Sequence, residues 1–234
     1  MKFSIITLFP EMFAPVLDTS MLWKAQEKNL VEFELINLRE FGIGPRRQVD
    51  DTPYGGGDGM LMKPEPIFAA VEHAKKTNPD AKVILMTPKG TIWSQELARK
   101  FATEELAEED FSRCTYCEKS SSLISYIVIC PHYEGYDERI LSLVDHQISI
   151  GKYILTGGEL PAMIVIDSIV RLIPGVLGGE TSAEIESFSD GDNLEYPQYT
   201  RPETFKDMKV PDVLLSGNHG AIAKWREQNS PKTS

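Results

Sequence analysis

The chain has 234 residues, of which 41% are hydrophobic and 25% are charged, a composition that excludes a disordered or collagen-like protein. That length allows one sizeable core and a small second unit. The net charge of −11 argues against binding nucleic acid by neutralising phosphates. Charge is unevenly spread, however: the segment 104–118 is acidic, with five acidic residues clustered at 104–110, while basic residues such as Arg46, Arg47 and Arg201 lie elsewhere, so the net charge does not decide whether the protein binds nucleic acid.

Strands are predicted at five short runs rich in Val, Ile, Phe and Tyr, each followed by turn signals: 2–9, 31–38, 82–87, 126–130 and 147–150. Helices are predicted between them, where apolar residues recur with helical spacing: 11–28, 65–76, 94–103 and 160–173. This alternation indicates an α/β fold with a mostly parallel sheet and helices on both faces. Periodicity gives no reason to expect a knot in such a sheet.

The compartment is indicated by the N-terminus and by the cysteines. The N-terminal apolar run stops at Pro10, too early for a signal peptide, and no uncharged run is long enough to cross a membrane. Three cysteines make no disulfide framework. Cys114 and Cys117 are spaced as half a zinc site or a redox pair, but no second pair follows. We expect a cytoplasmic protein without membrane contact.

Residues 54–59 form a glycine-rich loop, Tyr-Gly-Gly-Gly-Asp-Gly. Successive glycine amides can cradle a phosphate, which would suit an NTPase, but the Lys-Ser/Thr that completes a nucleotide-binding loop is absent. A loop that faces RNA or closes over a domain is the preferred interpretation, and a simple surface turn is the alternative.

Residues 149–179 begin as a loop with a glycine pair, Gly157 and Gly158, and continue as a nearly all-apolar helix. Glycine allows the main chain to approach a ligand closely, and a proline near the helix start leaves the free amides there accessible. The apolar helix must be buried on most sides, either in the core of a monomer or in a dimer.

The character of the chain changes after Gly178. Residues 178–193 are polar and lack apolar periodicity, which predicts a flexible linker or lid. Beyond them, 194–234 predict a small helical domain with too few apolar residues to fold alone, and 1–177 form the main domain.

Four motifs together carry a resemblance to a known family. They are DDTPYGGGDGM at 50–60, HYEGYDER at 132–139, the glycine-hinged segment 149–179, and EYPQYTRP at 195–202. With these four motifs in this order, the chain closely resembles the bacterial tRNA (guanine-N1)-methyltransferases of the knotted, or SPOUT, methyltransferase superfamily. The resemblance extends from residue 1 to about residue 226.

The resemblance implies a fold, a substrate and a reaction. The fold would contain a deep trefoil knot at 131–158 of the main domain. The chain would form a homodimer whose site joins the cofactor loop of one subunit to the lid of the other. The reaction would be methylation of N1 of guanine 37 in tRNA, immediately 3′ of the anticodon, by S-adenosyl-L-methionine, with magnesium assisting without a dedicated protein metal site.

The chemistry requires a base for the N1 proton and a cation for the charge that spreads to O6. The resemblance assigns the base to Glu186, where the family usually has aspartate, and the cation to Arg171. The alternatives are a solvated charge for Glu186 and an ion pair with Asp167 for Arg171. Glu134 matches a family glutamate at the pocket edge, and its alternative is a cap for a helix at 136–141.

The cofactor is assigned to segments at the ends of three strands, where α/β sheets bind ligands. Those residues are Met86, Thr87, Pro88, Gly90, Pro131, Tyr133, Ile150, Gly151, Lys152, Tyr153, Ile154, Leu155, Gly157, Gly158 and Pro161. The resemblance assigns contacts with tRNA to Asp51, Gly59, Ser216, Asn218, Trp225 and Arg226. Trp225 could equally be a core residue.

The motif at the pocket departs from the family at two positions. Pro131 and His132 stand where the family usually has glycine and arginine, so a backbone donor and a permanent charge are lost. With the change to Glu186, these departures motivate one rival hypothesis, a non-catalytic RNA-binding scaffold.

Overall fold

The computed structural model describes residues 1–103, 124–178, 186–189, 191 and 193–231. Its centre is a five-stranded sheet in the order β2-β1-β6-β5-β7, in which every neighbouring pair is parallel. The strands of this sheet are β1 (Lys2–Thr7), β2 (Glu32–Asn37), β5 (Lys82–Ile92), β6 (Ser125–Ile129) and β7 (His146–Ser149). The predicted parallel sheet is confirmed, and all five predicted strands overlap observed ones.

Two short antiparallel hairpins were not predicted. They pair β3 (Asp50–Asp51) with β4 (Leu61–Met62), and β8 (Thr204–Phe205) with β9 (Met208–Lys209). Each strand has two residues, which is too short to show the alternation of apolar and polar positions that signals a strand.

Among the described residues of the first part of the chain, four helices surround the sheet, and a short helix precedes them. They are α2 (Ser20–Glu27), α3 (Pro64–Thr77), α4 (Gln95–Thr103) and α5 (Glu159–Val170), and the short one is α1 (Ala14–Leu17). In the same described ranges, 3₁₀ helices cover Pro10–Met12, Leu38–Phe41 and Glu138–Leu143. The Ser94 hydroxyl accepts a hydrogen bond from the Leu97 amide at 3.3 Å, as expected of a residue that caps α4.

The prediction of one helix over 11–28 was wrong. The chain there forms a 3₁₀ turn, α1 and α2, and the break before α2 lies at Thr19, whose backbone is extended. The Thr19 hydroxyl donates to the carbonyl of Pro15 at 2.8 Å. Threonine competes for backbone hydrogen bonds in this way, so apolar spacing that continues across it does not guarantee a continuous helix.

Side chains of the strands alternate between two separate apolar clusters, one on each face of the sheet. In β6, Tyr126 and Val128 join the cluster that includes α2, α4 and α5, while Ile127 and Ile129 join the cluster that includes α3. A sheet whose strands are buried on both faces is typical of α/β proteins.

Strand β5 contains a bulge that separates its two ends. Met86 and Thr91 both pair with Ile148 of β7, so the four residues between them leave the ladder. Thr87 and Pro88 are two of those residues, and the strand on each side of them remains paired with β7.

Helix α5 packs on the sheet along one side and is exposed along a narrow stripe. Its buried residues include Ala162, Val165 and Ile169, whereas Leu160 and Ile164 are 51% and 49% exposed. Helix α5 is therefore buried on most sides within one chain, as expected, and only this apolar stripe is exposed.

The chain divides into two compact units, Met1–Leu177 and Gly178–Ser234. The described part of the second unit contains β8, β9 and the helices α6 (Asp212–Leu215) and α7 (His219–Gln228), and it has no fully buried residue. Residues 104–118, Cys114 and Cys117, and most of the predicted lid lie outside the described residues. Within the described residues, no helix is long and apolar enough to span a membrane.

Candidate active site

A cavity of about 200 Å³ opens where strands β5, β6 and β7 end. Its walls come from the bulge after Met86, from the segment that follows β6 and from the loop between β7 and α5. The carboxyl ends of neighbouring parallel strands meet at one edge of a sheet, which is where α/β proteins bind ligands.

The cavity gathers nearly all of the residues that the sequence assigned to the cofactor, together with Glu134. The lining residues are Met86, Thr87, Pro88, Pro131, His132, Tyr133, Glu134, Gly135, Tyr136, Ile148, Ser149, Ile150, Gly151, Tyr153, Ile154, Leu155, Thr156, Gly157, Gly158 and Pro161. Gly90 and Lys152 are the predicted cofactor residues that do not line it.

The glycine pair before α5 is required by space. A side-chain carbon at Gly158 would lie 2.8 Å from backbone atoms of Cys130 and Pro131, and the Gly158 amide donates to the Pro131 carbonyl at 2.7 Å. A side-chain carbon at Gly157 would collide with Glu159 and His132. The loop before α5 can therefore pack directly on the end of β6 only because both residues lack side chains.

Gly90 has a different structural role. A side-chain carbon there would lie 2.5 Å from backbone atoms of Gln147 and Ile148, so Gly90, the last residue of the bulge, lets β5 approach β7 closely. The contact of Gly90 with a cofactor stays a prediction. The contact of Lys152, an exposed residue, with the cofactor stays a prediction as well.

The glycine-rich loop joins the antiparallel strands β3 and β4, and its end is fastened to the cavity rim. The Glu134 amide donates to the Met60 carbonyl at 3.1 Å, and the Met62 amide donates to the Gly135 carbonyl at 2.9 Å. A side-chain carbon at Gly59 would collide with the side chain of Glu134. The loop thus brings Gly59 against Glu134, and it lacks the strand-loop-helix arrangement of a nucleotide-binding loop.

Glu134 does not cap a helix, so that alternative was wrong. The 3₁₀ helix that follows begins after Asp137, whose carboxylate accepts a hydrogen bond from the Arg139 amide at 2.9 Å. The Arg139 guanidinium also donates to Asp137, and these bonds lower the pKa of that carboxyl. Glu134 is exposed at the rim and is available to a ligand.

Tyr133 lines the cavity in a left-handed backbone conformation, with φ of 63°. Such a conformation is uncommon for a bulky residue and is found preferentially at functional sites. Burial raises the pKa of the Tyr133 hydroxyl, and the negative charge of Asp50 acts in the same direction.

The bulge is linked to the opposite wall by polar contacts. The Tyr136 hydroxyl donates to the Thr87 hydroxyl oxygen at 3.1 Å. Lys89 forms an ion pair with Glu138 at 2.5 Å, and this bond raises the pKa of the lysine. Both groups of the ion pair are exposed, so it contributes little to stability.

A buried carboxylate next to the cavity was missed by sequence reasoning. Glu159, the first residue of α5, is 2% exposed, and its Oε1 accepts a hydrogen bond from the Thr7 hydroxyl at 2.9 Å. Its Oε2 lies 3.7 Å from Nδ1 of His132, which lines the cavity. The available signal was a charged residue between a glycine pair and an all-apolar helix, which has to find a polar partner.

The base and the cation assigned to the methyl-transfer chemistry belong to different units of the chain. Arg171 is half-buried just after α5, and its amide donates to the Asp167 carbonyl at 3.1 Å. Glu186 is half-buried in the second unit, where its carbonyl accepts from the Ser189 amide at 3.1 Å. Their catalytic roles stay predictions.

Among the residues assigned to tRNA, Asp51 and Gly59 are exposed on the β3–β4 hairpin. Asp51 pairs with Lys63 at 3.4 Å, and its pKa is lowered first by the Thr52 amide and then by this lysine. The hairpin therefore has both an ion pair and an exposed glycine at the surface.

The remaining tRNA candidates surround helix α7. Ser216 and Asn218 make local bonds at the helix ends: Ser216 donates to the Val213 carbonyl at 2.7 Å, and Asn218 accepts from the Ala221 amide at 3.1 Å. Trp225 is half-buried with its ring 6.4 Å from that of Tyr199, and the Arg226 guanidinium lies 4.6 Å from the centre of the Tyr196 ring. The Trp225 contact favours packing, while Arg226 remains exposed.

No group of three or more His, Cys, Asp or Glu side chains that could hold a metal ion is present among the described residues.

The sequence matches the family model of the tRNA (guanine-1)-methyltransferase TrmD over residues 1–107 and 111–234. The chain belongs to this family. It is 54% identical over 231 residues to a tRNA (guanine-N(1)-)-methyltransferase of Geobacillus kaustophilus, covering 98% of this chain and 86% of that protein. It is 50% identical over 232 residues to a tRNA (guanine-N(1)-)-methyltransferase of Dictyoglomus turgidum, covering 99% of this chain and 86% of that protein.

A solved structure, the tRNA (m1G37) methyltransferase of Aquifex aeolicus, superposes with a TM-score of 0.75 at 35% identity and covers 96% of this chain and 87% of that one. The family predicted from the four motifs is thereby confirmed. Membership of the TrmD family makes the chain a methyltransferase, so the rival hypotheses of a scaffold and an NTPase lose their support.

Proposed function

We propose that this protein transfers a methyl group from S-adenosyl-L-methionine to N1 of guanine 37 in tRNA. The observation that carries the proposal is the cavity at the ends of β5, β6 and β7, which collects the three separate segments that the sequence assigned to the cofactor. The TrmD relatives and the solved m1G37 methyltransferase support the substrate.

The residues of the cavity fit a nucleoside cofactor. Its walls are apolar at Ile150, Ile154 and Leu155, which suits a flat adenine ring. Gly157 and Gly158 line the cavity without side chains, and their close contacts with Glu159, His132 and the end of β6 fix the position of the loop that forms one wall. His132 contributes a buried Nδ1 that has no hydrogen-bond partner within the described chain.

The bound cofactor would supply a methyl group on a positively charged sulfur. The remaining chemistry falls to the protein. Glu186 would accept the N1 proton of the guanine, and the Arg171 guanidinium would stabilise the negative charge that spreads to O6. Glu134, exposed at the rim beside Gly59, would accept hydrogen bonds from the guanine or from the amino group of the cofactor.

The exposed stripe of α5 supports a homodimer. Leu160 and Ile164 lie one helical turn apart, and Ile154 of the preceding loop is 78% exposed. Contiguous exposed apolar side chains mark interaction surfaces of proteins. We propose that a second copy covers this stripe and contributes its lid to the site.

The trefoil knot at 131–158 is part of the same proposal, and it is supported by the packing of the loop between β7 and α5 against the end of β6, where the Gly158 amide donates to the Pro131 carbonyl. A tRNA substrate also supports a cytoplasmic location. Magnesium would act on the RNA or the reacting base without a dedicated set of protein ligands.

The function is tested with radiolabelled S-adenosyl-L-methionine and two tRNA transcripts that differ only in guanine or adenine at position 37. We expect one methyl group per molecule of the guanine transcript, located at N1 by nuclease digestion and mass spectrometry. Transfer to both transcripts, or to another atom of the guanine, would contradict the proposed specificity.

The dimer is tested by light scattering. Ile164→Glu should convert a dimer to a monomer, because a charge on the apolar stripe opposes its burial, whereas Asp167→Asn on the same exposed side should leave the mass unchanged. A monomeric wild-type protein would refute the shared site without affecting the cofactor assignment.

A further inference from the structure

Glu159 is a buried carboxylate that the proposed mechanism does not use. Taking a carboxylate out of water is costly unless a cation or several donors compensate. The Thr7 hydroxyl is an uncharged donor to Oε1, and the 3.7 Å between Oε2 and His132 Nδ1 is longer than a hydrogen bond. The imidazole nitrogen accordingly has no hydrogen-bond partner within the described chain. Glu159 and His132 are therefore neighbours that form no hydrogen bond with each other.

The carboxylate lies next to the cavity. Its Oε2 occupies the space that a side chain at Gly157 would need, and Gly157 and His132 both line the cavity. Its negative charge also reaches the end of β6: the pKa of the Cys130 thiol is raised well above its ordinary value, by burial first and by Glu159 second.

We propose that Glu159 is a specificity-determining residue that favours a positively charged sulfonium ligand over its uncharged thioether. This inference rests on the proposed use of S-adenosyl-L-methionine. That cofactor and its demethylated product, S-adenosylhomocysteine, share the adenosine and the amino-acid group, and they differ in one methyl group and one positive charge at sulfur. A fixed negative charge beside the cavity stabilises the first ligand only.

The expected consequence is a bias against the product. Once the methyl group has left, the sulfur is neutral and loses its attraction to Glu159, so the spent ligand dissociates more readily. A unit charge several ångströms away in a partly buried site changes affinity by about tenfold. His132 keeps this charge uncompensated when its imidazole is neutral, whereas the arginine usual in the family would neutralise it.

The test is isothermal titration calorimetry of the full chain with each of the two ligands. Glu159→Gln should weaken binding of S-adenosyl-L-methionine by about tenfold and binding of S-adenosylhomocysteine by less than about threefold. Glu159→Asp keeps the charge and should keep the wild-type ratio of the two dissociation constants. Glu138→Gln, which removes an exposed carboxylate that does not line the cavity, should keep it as well.

A second variant tests the same idea with Glu159 in place. His132→Arg sets a permanent positive charge beside Oε2 and should lower the preference for the sulfonium as Glu159→Gln does. This variant decides the matter if Glu159→Gln fails to fold.

The outcomes separate the two proposals. If the wild-type protein binds neither ligand, the proposed function fails and this inference fails with it. If the wild-type protein binds both and the variants weaken both equally, Glu159 is a packing residue, and only this inference is overturned.

Discussion

The two units of the chain present their candidate functional residues in opposite ways. In the first unit the cavity is lined largely by apolar residues and glycines, and one of them, Gly158, packs closely against backbone atoms of a neighbouring segment. In the described part of the second unit no residue is fully buried, and Ser216, Asn218 and Arg226 are exposed. A site made of close main-chain packing is sensitive to shape, whereas a surface of exposed side chains is sensitive to charge and hydrogen bonding.

The largest effect is expected where shape matters most. Gly158→Ala places a carbon against the backbone of Cys130 and Pro131, which cannot yield as a flexible side chain would. We expect binding of S-adenosyl-L-methionine to weaken by at least about 100-fold, with a loss of stability of about 1–3 kcal/mol. Calorimetry and urea unfolding measure the two effects.

Gly178→Ala is the matched control for Gly158→Ala, because a side-chain carbon at Gly178 meets nothing within 4 Å. If the two variants had the same cofactor affinity and the same stability, close packing of Gly158 on the end of β6 would not matter for binding.

Arg171→Ala should separate chemistry from binding. Removing a group that stabilises developing charge lowers the rate of methyl transfer by about 100-fold or more, while affinity for the cofactor stays within a few-fold because Arg171 does not line the cavity. Single-turnover methyl transfer measures the rate, and calorimetry measures the affinity. Unchanged turnover would remove Arg171 from the mechanism.

Glu186→Gln tests a residue of the second unit. The amide keeps the size of the side chain but cannot accept the N1 proton, so transfer at neutral pH should fall by about 100-fold. Stability should be unchanged, since Glu186 is only half-buried. Glu186→Asp, which restores the usual residue of the family, is the control and should remain active. A fully active Glu186→Gln enzyme would mean that another group takes the proton.

The smallest effect is expected at the exposed surface. Arg226→Ala should raise the KM for tRNA by about 5-fold and reduce its salt dependence, with cofactor affinity unchanged, because one positive charge near the RNA is lost. Arg226→Lys keeps the charge and should retain most of the affinity for RNA. A changed cofactor affinity would place Arg226 in the cofactor site instead.

The sequence predicted the sheet well because the physical signal was local. Runs such as 82–87 and 126–130 are continuous apolar strands that can be buried only between two layers of helices. The break at Thr19 and the hairpin of β3 and β4 were missed, since the first depends on one hydroxyl and the second on two-residue strands.

The candidate site was predicted mainly through the resemblance, and its physical reasons appear only in three dimensions. Nothing near Gly90 in the sequence indicates that its missing side chain makes room for β7. Likewise, Glu159 is 152 residues away from Thr7, its hydrogen-bond partner, so no local pattern could pair them. Contacts of that separation are created by the order of strands in the sheet.

The bulge in β5 has a thermodynamic consequence for ligand binding. Because Met86 and Thr91 are both anchored to Ile148, the four residues between them are tethered at both ends before any ligand arrives. This wall of the cavity loses its conformational entropy during folding. A nucleoside that enters the cavity therefore binds without the entropy loss of ordering the wall. Such a wall is preorganised, and it leaves more of the contact energy to appear as affinity.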